Sequence, residues 1–154
     1  AETLGACHGG TRGFFEWRFP PGPADLRNAT RLTVLLEASA FRQGAPQTDS
    51  FTQPTGFRML LNGVIVYRTI LPNHPHDSRG ALSYLRGGRG GYGYLTHATV
   101  EGALLAEVKA GMKGNRIRLR CGVSRDENPQ GGLTVYGSAS GRYPIGPTLI
   151  VETG

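Results

Sequence analysis

Between Pro72 and Tyr94 the chain gathers most of the side chains that could do chemistry: His74, His76, Asp77, Arg79, Tyr84, Arg86, Arg89, Tyr92 and Tyr94. Tyrosine rings stack on the C–H faces of sugars, while arginine, histidine and aspartate exchange hydrogen bonds with sugar hydroxyls. A glycan site built from His76, Asp77, Arg79, Tyr84, Arg86, Arg89, Tyr92 and Tyr94 is therefore expected. The competing reading is a loop whose tyrosines fold back onto the protein and whose arginines are solvated. The same segment holds Tyr, His and Arg together, the set a small lyase uses for proton abstraction, and this is the enzyme alternative.

Other chemistries have less to stand on. His74-x-His76-Asp77 puts three possible zinc ligands within four residues, but no fourth ligand follows at a zinc spacing, nor the glutamate and histidine of a cupin site. Asp126, Glu127 and Asn128 offer oxygens to a structural calcium ion or form a plain polar turn; no cofactor is expected. His76-Asp77-Ser78 are sequence neighbours in a loop, an arrangement that rarely converges into a catalytic triad. Neither a G-x-S-x-G elbow nor a phosphate-binding loop is present. Gly87 to Gly91 resembles one copy of an RGG segment, and one copy reads more simply as a turn. Asn28-Ala29-Thr30 is a glycosylation sequon, meaningful only in a eukaryotic secretory pathway.

Charge is the other notable feature. The formal net charge is +6, and of the 17 basic residues only Lys109 and Lys113 are lysine. The arginines are spread from Arg12 to Arg142 rather than concentrated in a tail, which disfavours nucleic acid as partner. Arg116, Arg118 and Arg120 alternate with Ile117, Leu119 and Cys121, so a strand would align the three on one face. That row suits an acidic ligand such as a uronate; the blander expectation is that Glu16 or Glu37 neutralises it across neighbouring strands. The glycan expected at the 72–94 loop is neutral.

The elements that must position these groups read as strands. Phe14 to Phe19 alternates, with Phe15, Trp17 and Phe19 on the side expected to be core. Arg31 to Ala40 places Leu32, Val34, Leu36 and Ala38 on one face and Arg31, Thr33, Glu37 and Ser39 on the other. Phe57 to Leu61 and Val64 to Leu71 flank Asn62-Gly63, the signature of a type I′ hairpin because both residues accept positive φ. Periodicity stops from Pro72 to Gly93, a loop long enough to suggest a function. It returns at Tyr94 to Val100. Leu104, Leu105 and Val108 then have helical spacing up to Gly111. Asn115 to Val123, Leu133 to Tyr136 and Thr148 to Glu152 complete the set.

With 154 residues, 24 glycines, 10 prolines and no apolar run of membrane-spanning length, these elements fit one all-β domain over residues 1–154. The expected architecture is a two-sheet antiparallel jelly-roll sandwich with one short helix. The immunoglobulin alternative lacks the Cys-Trp-Cys spacing. Cys7 and Cys121 either form one bridge or remain free thiols, with Cys121 on the core face of its strand.

Leu61-Asn62-Gly63 and Gly114-Asn115-Arg116-Ile117-Arg118-Leu119, with the Gly/Ser-rich stretch from Gly132 to Thr148, resemble the galactose-binding-like jelly roll. This fold occurs as carbohydrate-binding modules and as sugar-binding accessory domains of family 2-type bacterial glycoside hydrolases. The resemblance spans residues 30–152. It implies a non-catalytic module that targets a covalently linked glycoside hydrolase to glycan, with the catalytic carboxylates in another domain. A ligand-free structural or oligomerisation domain of such an enzyme is the alternative. No nucleic-acid or membrane partner is expected, and a secreted setting is slightly favoured.

Overall fold

The computed structural model describes residues 5–8, 14–20, 25–41, 55–71, 93–123, 132–138 and 145–154. The segment that supplies His76, Asp77, Arg79, Tyr84, Arg86, Arg89 and Tyr92 lies outside them, as do His74 and Asp126 to Asn128.

Alternation of apolar and polar residues produces nine strands among the described residues. They are β1 (Gly5–His8), β2 (Phe14–Phe19), β3 (Ala29–Phe41), β4 (Thr55–Leu61), β5 (Val64–Leu71), β6 (Tyr94–Val100), β7 (Ile117–Val123), β8 (Gly132–Tyr136) and β9 (Thr148–Thr153). One helix, α1 (Gly102–Ala110), follows β6. The strands form two antiparallel sheets, one in the order β1-β8-β3-β6 and the other in the order β2-β7-β4-β5. Successive strands thus alternate between the sheets except at β4–β5 and at β8–β9, and β1 and β2 lie beside β8 and β7. This is the jelly-roll order. β9 adds to the first sheet along the N-terminal half of β3, whose C-terminal half pairs with β8.

The core lies between the sheets. Leu32, Val34, Leu36 and Ala38 of β3 meet Phe57, Met59 and Leu61 of β4 and Ile117, Leu119 and Cys121 of β7, all of them buried. Phe15, Trp17 and Phe19 pack against this cluster, so the lone tryptophan belongs to the core side of β2. The rings of Phe15 and Trp17 lie 5.9 Å apart. Tyr94, the one residue of the expected glycan site that is described, is half-buried on β6 and also packs against the core.

The Asn62-Gly63 turn joins β4 and β5 with φ of 51° and 92°, the positive pair a type I′ turn requires. Leu105 and Val108 bury one side of α1, as their spacing predicts. The Lys109 ammonium then donates to the carbonyls of Arg27 and Ala29, fastening the helix to the start of β3. Gly111 ends the helix for a different reason from the one its sequence position suggests. Its φ is −84°, not left-handed, and a Cβ there would sit 2.9 Å from the Asn62 carbonyl oxygen. Close approach of the hairpin excludes a side chain at this point.

Of the two cysteine states that the sequence leaves open, Cys121 adopts the free one: its thiol is buried in the core, and burial pushes its pKa above the ordinary thiol range. One expectation needs correction. Glu37 and Ser39 alternate outward from β3 as expected, yet neither is solvated. Both are fully buried. Glu37 Oε1 accepts a hydrogen bond from the Gly93 N–H at 2.6 Å, and the Ser39 hydroxyl lies 3.2 Å from the Tyr136 hydroxyl. With Thr134 also buried, the outer side of the first sheet carries an internal polar cluster that alternation alone reads as surface.

Candidate binding face

The outer side of the second sheet is built by register. On β2, Phe14, Glu16 and Arg18 face outward because Phe15, Trp17 and Phe19 pair with the inward Cys121, Leu119 and Ile117 of β7. The same rule sends Arg118 and Arg120 of β7 outward, Arg58 and Leu60 of β4, and Arg68 of β5 beyond them. Arg116 is exposed just before β7 begins. Every strand of this sheet therefore contributes an arginine to one face or its end.

Two of these arginine pairs are direct cross-strand neighbours, Arg18 opposite Arg118 and Arg58 opposite Arg68. Like charges in that position repel, so sheet stability alone does not favour them. One carboxylate serves the face among the described residues. Glu16 receives Arg120 through Nε at 3.3 Å and an Nη at 2.9 Å. It also takes Arg18 Nε at 3.2 Å, and Arg118 Nε stands 3.9 Å away. These cations, led by the hydrogen bond from Arg120, hold the Glu16 carboxyl below its ordinary pKa. The expected neutralisation by Glu16 is present; that by Glu37 is not, because Glu37 belongs to the other sheet. Arg120 is further fixed by Phe14, over whose ring its guanidinium lies at 3.9 Å.

Where this face meets the β4–β5 turn, an open cleft of about 310 Å³ is lined by Arg18, Asn62, Gly111, Lys113, Arg116, Ile117 and Arg118. Its floor is rigid. The Asn62 side chain donates to the Val108 carbonyl at the end of α1 and accepts from the Arg118 backbone N–H on β7, joining three elements at one residue. Asn115 is a second such tie. Its Oδ1 accepts from the Leu26 N–H at 2.8 Å, holding the short 3-10 turn Leu26–Asn28 beside the start of β7. Gly114, with φ of 66°, supplies the left-handed step before it. Both asparagines of the sequence motifs are therefore structural; Asn62 also lines the cleft, with its side-chain amide engaged by Val108 and Arg118.

Four cations, Arg18, Lys113, Arg116 and Arg118, converge on the cleft. Lys113 and Arg116 form no ion pair with any described carboxylate. The period of two in the sequence reveals the Arg116, Arg118, Arg120 row. It does not reveal Arg18, Arg58 and Arg68, because their joining the row depends on strand order, nor Lys113, which enters through the turn after α1. No group of three or more His, Cys, Asp or Glu side chains suited to a metal ion is found among the described residues.

Topology and face together define a jelly-roll β-sandwich with a basic outer surface. No family model matches the chain, and no curated protein matches it. Among solved structures it is similar to dimeric latent PorU from Porphyromonas gingivalis, with 12% identity and a TM-score of 0.42. The matched region covers 86% of this chain and 12% of that one.

Proposed function

We propose that this chain is a non-catalytic carbohydrate-binding module of the galactose-binding-like kind, appended to a larger glycoside hydrolase. The observation that carries the reading is the open cleft at the end of the second sheet. It is presented by a sandwich whose motif residues, Asn62 and Asn115, hold its rim in place. Rigid elements position hydrogen-bond donors more accurately than loops do, and a module binding without chemistry needs little else. The residues His76, Asp77, Arg79, Tyr84, Arg86, Arg89, Tyr92 and Tyr94 remain the proposed second contact region, with stacking tyrosines. A glycan array probed with the isolated chain tests the reading. Retention of at least one glycan class supports it, and a blank array overturns it.

A ligand-free structural domain has one observation in its favour. Ile65 and Ile70 are exposed on β5, an edge strand of the second sheet, where a partner domain would cover them. A blank glycan array together with self-association lost in Ile65→Lys/Ile70→Lys would favour that reading.

A further inference from the structure

We infer that the outer face of the second sheet receives a linear acidic polysaccharide, its carboxylates or sulfates held by an arginine track that starts in the cleft. The inference rests on the carbohydrate-binding reading and names the ligand class within it.

The track follows from register. Arg18 and Arg118 lie at one level of the sheet, Arg120 one side-chain repeat further, and the exposed Arg68 a further repeat on at the β5 edge. At about 3.4 Å per residue and about 4.8 Å between strands, the diagonal from Arg118 to Arg68 is roughly 17 Å. Charges distributed over such a length suit a chain carrying repeated anions, whereas a single small ion would be met by convergent donors. Guanidinium groups pair with planar carboxylates through two parallel hydrogen bonds, and sulfate offers equivalent acceptors. Glu16 is the one described carboxylate on the face; it orders Arg18 and Arg120 and offsets a single positive charge, so the set stays net positive.

The aromatic content of the face separates this ligand from the others. A neutral sugar is normally held by an open ring, and so are the bases of single-stranded nucleic acid. Among the described residues the exposed ring on this face is Phe14, half exposed, with the Arg120 guanidinium over one side of it. Charge therefore outweighs stacking on this face.

Affinity electrophoresis in native gels containing dextran, dextran sulfate, polygalacturonate or single-stranded DNA, at low and high salt, is the test. The first two probes share one backbone and differ in sulfate alone; the third supplies the carboxylate arm. Retention by dextran sulfate or polygalacturonate but not by dextran is expected, with loss as salt shortens the Debye length to below about 8 Å. Lys113→Gln/Arg116→Gln removes two exposed cations that pair with no described carboxylate, so it should keep the wild-type melting temperature and weaken retention by on the order of tenfold. Glu16→Gln should strengthen retention by removing the opposing charge. Salt-insensitive retention by dextran or by another neutral glycan on the array would overturn the inference while leaving the module reading intact. Retention by no glycan overturns both. Single-stranded DNA held more tightly than either acidic polysaccharide, or undiminished retention in the double variant, also overturns it.

Discussion

Asn62 and Arg118 exchange two hydrogen bonds, the Asn62 N–H donating to the Arg118 carbonyl at 2.9 Å and the Arg118 N–H donating to Asn62 Oδ1 at 3.0 Å. A turn residue thereby continues the ladder between β4 and β7 past the end of β4. The first cleft-lining arginine of β7 is fixed by backbone bonds before its side chain meets anything. Asn62→Ala removes two side-chain bonds and places an alanine at φ of 51°, so a loss of about 2–3 kcal/mol is expected. Asn62→Asp, which retains the acceptor and tolerates the backbone, should lose less. Urea unfolding of the two variants checks the order.

Glu16 predicts an acid-sensitive contribution to stability. Its folded pKa is lowered by Arg120 and the neighbouring arginines, so in the window below the ordinary value of 4.5 the unfolded chain binds more protons than the folded one. The stabilisation is present above that value and declines as pH falls through the folded pKa. Melting temperatures of wild type and Glu16→Gln should differ at neutral pH and converge in acid, and the gap should narrow in high salt. A gap that widens as pH falls would contradict the assignment.

Cys121 predicts the opposite dependence. Its thiol pKa is raised by burial, so above the ordinary thiol value of 9.0 the unfolded chain releases a proton that the folded chain keeps. Stability should decline as pH rises beyond that point, and less so in Cys121→Ala. Cys121→Ser places a hydroxyl among Leu119, Met59 and Phe15 and should cost about 1–3 kcal/mol. In a Cys7→Ser background, the remaining thiol should resist a disulfide reagent until the protein is unfolded.

Gly93 and Glu37 form a pair in which neither tolerates the obvious change. A Cβ on Gly93 would stand 2.6 Å from the Ala38 carbonyl oxygen and 2.8 Å from Tyr136 Cε2, and the first of these is ladder backbone that cannot rotate away. Gly93→Ala should therefore cost about 1–3 kcal/mol through overpacking. Glu37→Ala strips the acceptor from the buried Gly93 N–H and should cost a similar amount, while Glu37→Gln, which still offers an oxygen, costs less. Thermal unfolding of the three variants tests this ranking.

Local chemistry made much of the fold legible. The period-two runs at Leu32 to Ala38 and Ile117 to Val123 have a buried face as expected, and Asn62-Gly63 turns as its two residues dictate. What stayed hidden depends on partners distant in the chain. Glu37 has the alternation of a surface residue, and its burial comes from neighbours such as Gly93 and Tyr136 that no local pattern reveals. Arg58 and Arg68 likewise look like isolated charges until β4 is placed beside β7 and β5 beside β4. The candidate site was thus partly visible as the Arg116 to Arg120 row, and its extent was hidden in strand order.

The placing of β1 beside β8 and β2 beside β7 has a consequence for biosynthesis. A ribosome releases β1 and β2 early, yet Ala6 finds its partner only when Thr134 has emerged, and Phe19 only when Ile117 has. The β4–β5 hairpin is able to form as soon as it is made, whereas β1 and β2 wait for β8 and β7. During that interval β1 and β2 stand with open edges. A nascent chain stalled before β7 would carry Phe15, Trp17 and Phe19 without the strand that covers them, so slow translation through the second half of this sequence exposes it to aggregation in a way that slow translation through the first half does not.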